Sequence, residues 1–357
     1  MSQGFFDRNL SFETNGTSPG SEAIDQWVQS VQSVLSWTLV VTGVVGVMTN
    51  VLTILVFAKM GFSSTFHMSC TALAVSDVLC VVASAMTGAA VLGVFRRDVD
   101  AKTSAHMGTI TGGLPQIVFS RITALITAWI SVERCLSVAY PTKVRFIITR
   151  TVTKVALSIM FCLGFFFLLL ASSSYRIGRR FDPKVNSTRW TLDVEENKKL
   201  KALTQFVRMF FGLILPVLSW VTVTICTVFL IVKLRQNSMW KKTAVPTATD
   251  TSSDAGDAKT TRPKQQVPVK ERRVVKIVVV VTSIFLACSL PMSVHLLASF
   301  SLPEYIEWGA LGQLFVINSL VCVWLSQVNS SINILVFAVS GQKFRSVLFG
   351  LFGFSKP

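Results

Sequence analysis

Seven stretches of this chain are each long and apolar enough to cross a bilayer, which constrains its fold more than any other sequence feature. They run over approximately 34–58, 67–94, 107–138, 152–173, 204–233, 272–299 and 308–338. About 20 apolar residues in a helix cross roughly 30 Å of hydrocarbon. Backbone polar groups in that medium must be satisfied within the segment, so helices are expected. Of the 357 residues, 51% are hydrophobic and only 15% charged, too few to wet the surface of a soluble domain. No internal repeat points to the paired halves of a transporter. The polar opening MSQGFFDRNLSFETNG lacks the apolar core of a cleavable signal, so the first span is expected to direct insertion.

Charge near the span ends sets the orientation. With residues 1–33 outside the cell, the inner segments are Lys59, 140–154, 233–276 and 338–357, and together they carry a net +15. The outer segments 1–33, 95–106, 175–202 and 300–308 sum to zero, within a chain total of +16. The expectation is a plasma-membrane protein with its N-terminus extracellular and its tail cytoplasmic. This bias accounts for the basic charge without any nucleic-acid partner. Sequons at Asn9, Asn15 and Asn186 all fall in segments read as outer, so these asparagines are expected to be glycosylated.

Most connections are short, as in a bundle of neighbouring antiparallel helices. The basic segment 174–203 is long enough for a lid or vestibule. The stretch 235–270, rich in Thr, Ser, Pro, Asp and Lys, reads as a flexible cytoplasmic loop with many sites for kinases. Beyond the last span, residues 339–357 put Phe344, Val347, Leu348 and Leu351 on one face of a short amphipathic helix. All seven cysteines lie within spans, where small apolar packing is the expected role.

Polar residues inside spans are costly and mark function. The spans carry, in order, Asn50; Asp77 in Leu73-Ala74-Val75-Ser76-Asp77; Glu133-Arg134-Cys135; Pro216; Phe285 and Cys288-Ser289-Leu290-Pro291; and Asn329-Ser330-Ser331-Ile332-Asn333 through Phe337. One such feature per helix, in this order, resembles the rhodopsin-like G-protein-coupled receptors over essentially all of residues 34–352. The text ERCLSVAYPTKVRFIITRTVT, with SSINILVF and QKFRS, looks most like chemosensory and peptide-receptor-like branches in molluscs and other invertebrates.

The resemblance implies an all-α seven-helix membrane bundle. It implies a switch in which Arg134, restrained by Glu133, is freed to meet a heterotrimeric G protein, with Asn333 and Phe337 as further switch positions. It also implies a buried polar pocket of Asp77, Thr123, Asn329, Ser330 and Asn333 for an allosteric sodium ion; a protonated Asp77 in a water network is the other reading. Several positions depart from the family. Ile334 and Phe337 replace the proline and tyrosine of Asn-Pro-x-x-Tyr, Ser289 stands at the usual aromatic toggle, and Cys135 replaces a tyrosine. Thr109 occupies the position of the cysteine that normally bridges the third span to the second outer loop.

For the ligand, Arg121 and Arg208 lie inside spans where the resemblance puts the cavity border. A guanidinium is too costly to face lipid and suits bidentate recognition of a carboxylate or phosphate. With Gln116, Ser120, His295 and Gln327, the two arginines are expected to line a polar pocket for an anionic small molecule or peptide. The opposing view is that the arginines only bond carbonyls or waters. The seventh span has no lysine for a retinal Schiff base, which excludes an opsin. An odd helix count and a single deep acid, Asp77, argue against a channel or transporter. No nucleophile–base constellation or metal-ligand spacing points to an enzyme. A receptor-fold scavenger, or a receptor coupled to arrestin alone, stays open as the alternative.

Overall fold

Each hydrophobic stretch forms a helix, and several helices outrun the apolar residues that define them. The computed structural model describes residues 19–94, 99, 101–140, 142–182, 187–194, 202–203, 206, 209–243, 269–306 and 309–353. Among these, seven helices are long and apolar enough to cross a membrane. They are α1 (Pro19–Met60), α2 (Thr65–Val91), α3 (Ala101–Gly108, continuing as Leu114–Ala139), α4 (Arg150–Ser172), α5 (Leu215–Thr243), α6 (Val269–Ser301) and α7 (Gly312–Ser340). A shorter helix, α8 (Gln342–Leu351), follows. Asn9, Asn15 and Asn186 lie outside the described residues, as does Arg208.

Hydropathy marks where a helix meets lipid, not where it ends. The first helix therefore begins at Pro19, well ahead of the apolar run, and the fifth continues to Thr243. Residues 235–243, expected in a loop, are helical.

Burial is inverted relative to a soluble protein. Phe166 and Leu169 on α4, Ile225 on α5, Val294 on α6 and Leu335 on α7 are exposed, while Asn50, Asp77, Thr123 and Asn333 are buried. An apolar exterior around a polar centre suits lipid, which cannot hydrogen-bond to stray polar groups. Helix α3 is central, touching α2, α4, α5 and α6, and α1 closes the ring against α2 and α7.

Two π turns interrupt the helices, Thr109–Gly113 within α3 and Phe210–Ile214 ahead of α5. Each is followed at once by a proline, Pro115 or Pro216. A proline has no N–H for the carbonyl four residues back and its ring collides with it, so a widened turn relieves both. Helix α6 carries Pro291 in its interior. Close approach explains two glycines. A Cβ on Gly112 would lie 2.6 Å from the Thr87 nitrogen, and one on Gly164 would lie 2.5 Å from Ile122 Cδ1.

The segment after α4, read from sequence only as a lid, forms an antiparallel hairpin of β1 (Tyr175–Asp182) and β2 (Ser187–Val194). The alternation of Tyr175, Ile177 and Phe181 with Arg176 and Arg180 was the available signal. The Arg179 guanidinium sits 4.2 Å from the Trp190 ring centroid, and Arg180 pairs with Asp193 at 3.1 Å. At the other end of the bundle, α8 turns Phe344 inward, with Val347, Leu348 and Leu351 packed on the same core.

Candidate functional site

The bundle's polar centre is built around Asp77, which is fully buried. One carboxylate oxygen accepts from the Thr123 hydroxyl at 2.9 Å and the other from the Asn333 amide at 2.9 Å. Thr123 also meets the Ser76 hydroxyl at 2.9 Å. Asn50 donates to the carbonyls of Gly46 and Ser330, each at 2.9 Å, tying α1 to α7. Helices α1, α2, α3 and α7 are thus joined by side chains lodged in an apolar surround, where each lost bond would strand a polar group.

Arg121 lies on α3, within two residues of Thr123, and is buried at 4% exposure. Its Nε and Nη2 have no hydrogen-bond partner. It borders a cavity of about 20 Å³ whose other walls are Ser120, Thr123, Phe285, Cys288, Ser289, Met292, Ser326 and Asn329. Of the residues expected at the ligand pocket, Ser120 and Arg121 line this cavity. Asn329, grouped with Asp77 from sequence, lines this cavity as well.

The other expected pocket residues divide. Gln116 is buried, with its Nε2 unpaired. His295 meets the Tyr305 hydroxyl at 2.8 Å and the Phe315 ring at 4.8 Å, and Asn318 donates to the same hydroxyl at 2.9 Å. Gln327 turns away from the cavity. It donates to the Leu39 carbonyl at 3.0 Å and accepts from Thr42 at 3.1 Å, so both ends of its amide are engaged with α1. A span's polar residue can serve a helix seam as readily as a cavity, and spacing alone does not separate the two.

At the end of the bundle opposite the hairpin, Arg134 pairs with its neighbour Glu133. Glu133 also accepts from the Thr65 hydroxyl, and the Arg134 guanidinium lies 5.3 Å from the Phe66 ring centroid. Cys135 donates its thiol to the Cys226 carbonyl on α5 at 3.2 Å. Phe337 is buried between Phe57 and Phe344, with centroids at 5.4 and 5.6 Å.

Residues 49–336 match the family model described as 7 transmembrane receptor (rhodopsin family). The chain belongs to that family. It is therefore a multi-pass cell-surface receptor that answers an extracellular ligand and signals through G proteins, and it is not an enzyme. No curated protein shows significant similarity to this receptor.

Several departures of this rhodopsin-family receptor from the usual pattern have counterparts in its packing, and sequence reasoning missed these counterparts. Ser289, at the toggle position, accepts from the indole of Trp220 on α5 at 2.9 Å and donates to the Phe285 carbonyl at 2.6 Å. Trp220 packs there with Ala124, Ala128, Val223 and Phe285. Phe337 has no hydroxyl and is held by aromatic edges. All seven cysteines are free thiols, and the hairpin is fastened to α3 without a disulfide. His106 bonds the Leu192 carbonyl through Nδ1, the Leu192 N–H donates to Thr103 at 3.3 Å, and the His106 ring meets Tyr175 at 5.6 Å.

Proposed function

We propose that the receptor's ligand carries an acidic group, on a small metabolite or a peptide, and that this group meets Arg121. The observation behind this reading is the buried guanidinium, with two unpaired nitrogens, beside a cavity lined in part by hydroxyls. A buried charge without a partner is strongly unfavourable, so a ligand supplying one gains affinity there. Ser120 lines the same cavity and is the neighbouring contact, with Gln116, His295 and Arg208 as further candidate contacts for a larger ligand. The hairpin end faces outward, and Arg176, Arg179 and Arg180 draw an anionic ligand towards the entrance. The bilayer-facing exterior, glycans on Asn9, Asn15 and Asn186, and kinase or arrestin contacts on the third cytoplasmic loop complete the topology.

On binding, movement of α5 and α6 frees Arg134 from Glu133 to engage the G protein. Asp77, Thr123, Ser330 and Asn333 offer the oxygen donors a sodium ion prefers, with the charge from Asp77. Such an ion would bias the bundle towards rest. A role in chemosensory or peptide signalling, as in invertebrate branches of the family, is the setting this reading suits.

The test is a panel of small carboxylates and acidic neuropeptides screened by G-protein nucleotide exchange. Arg121→Ala is expected to lower agonist potency at least roughly tenfold at equal surface expression, as for a lost charge-assisted bond. Unchanged potency would sink the ligand contact. A second reading, a receptor that binds without activating G proteins, is favoured by Phe337, which carries no hydroxyl for the activated arrangement. Ligand uptake with no exchange on any G protein would select it.

A further inference from the structure

The cavity beside Arg121 raises a question that an extracellular agonist does not answer: what balances the guanidinium when no agonist is bound. Arg121 forms no ion pair among the described residues, and no carboxylate lines the cavity. Asp77 stands behind Thr123, and its two oxygens are taken by Thr123 and Asn333. The walls supply the Ser326 hydroxyl and the Asn329 amide as donors, while the Ser120 and Ser289 hydroxyls donate to the Ile117 and Phe285 carbonyls. The volume, about 20 Å³, is enough for a single water or small ion. A water there would satisfy an N–H but leave the charge uncompensated in a low-dielectric interior.

We propose that this cavity seats a single monovalent inorganic anion of the chloride class, held by the Arg121 guanidinium with the Ser326 hydroxyl and the Asn329 amide. The anion neutralises the guanidinium between α3, α6 and α7 in the ligand-free receptor. Because Ser289 and Met292 belong to α6 and Asn329 to α7, the bound ion ties together the helices that must separate on activation. An agonist's acidic group reaching Arg121 takes the ion's place, so chloride acts as a brake that the ligand removes.

The experiment uses the purified full-length receptor in nanodiscs, with thermal unfolding followed at constant ionic strength. Choline chloride and choline bromide are compared with choline gluconate, and sodium gluconate reads any sodium effect separately. Chloride and bromide are expected to raise the midpoint by several degrees, saturably, as binding to the native state alone requires. Arg121→Gln is expected to abolish that rise, while Asp77→Asn keeps it. Equal midpoints in chloride and gluconate overturn the proposal, as does an undiminished rise in Arg121→Gln. Should Arg121→Gln fail to fold, Cys288→Leu fills the cavity with the guanidinium intact, and a retained chloride shift in that variant overturns it equally. The outcome is separable from the ligand reading. A chloride shift alongside agonist potency indifferent to Arg121→Ala sinks the ligand contact alone. A lost potency without any chloride shift sinks the anion seat alone.

Discussion

The indole N–H of Trp220 on α5 donates to the hydroxyl of Ser289 on α6 across 2.9 Å. Two neighbouring helices are thereby joined at the level where an aromatic on α6 would otherwise stand. Ser289→Ala leaves the part-buried indole N–H without this partner, at a cost of about 1 kcal/mol. The resting packing is expected to loosen, with basal nucleotide exchange rising and the melting midpoint falling. Trp220→Phe should act in the same direction. A double variant no worse than Ser289→Ala alone would show that the two changes remove one shared interaction. Unaltered basal exchange in both single variants would refute the link.

Glu133 holds Arg134 and is itself held by Thr65. Glu133→Gln keeps the shape and removes the charge, so Arg134 is released without a cavity. Basal signalling is expected to increase severalfold, and Thr65→Val should give a smaller increase. Arg134→Ala should bind agonist normally and fail to drive nucleotide exchange. Loss of agonist binding in that variant would place Arg134 in the structural frame instead.

The clasp of His106 and Thr103 on Leu192 is a polar tie between the hairpin and α3. His106→Ala removes one bond and the ring contact with Tyr175. Amide exchange across 187–194 is expected to quicken at least about tenfold, with agonist dissociating faster. Unchanged exchange over β2 would mean that packing alone holds the hairpin.

Gly164 brings α4 against Ile122 and Val118 of α3. Gly164→Leu forces the two helices apart at a cost of about 1–3 kcal/mol or more. Surface expression should drop sharply, whereas Gly350→Ala, which meets nothing within 4 Å, should leave it intact. Equal expression of the two variants would contradict the packing described.

Much of this architecture is legible from residues alone, for identifiable reasons. Spans reveal themselves because hydrocarbon tolerates few charges, and Glu133-Arg134 stands out because charge at a span end is rare. Helix limits are hidden because Pro19 to Ser33 and Arg235 to Thr243 are polar yet compatible with helix. Gln327 and Arg121 look alike in sequence, each a polar residue in an apolar run. Only the third dimension shows that one binds α1 and the other borders a cavity. Trp220 escaped notice because an aromatic in a span reads as lipid-facing or core, and its partner Ser289 lies 69 residues away.

The fastening of the hairpin to α3 by Thr103 and His106 has one more consequence. A covalent bridge must be made by an oxidising environment and is undone by a reducing one. A clasp of hydrogen bonds needs neither. This end of the receptor can mature in a host membrane that lacks oxidative folding machinery, and it should keep its shape in millimolar thiol that would unfasten a disulfide-stapled relative. For production in bacteria, and for any natural setting rich in reductants, that indifference is an inherited advantage.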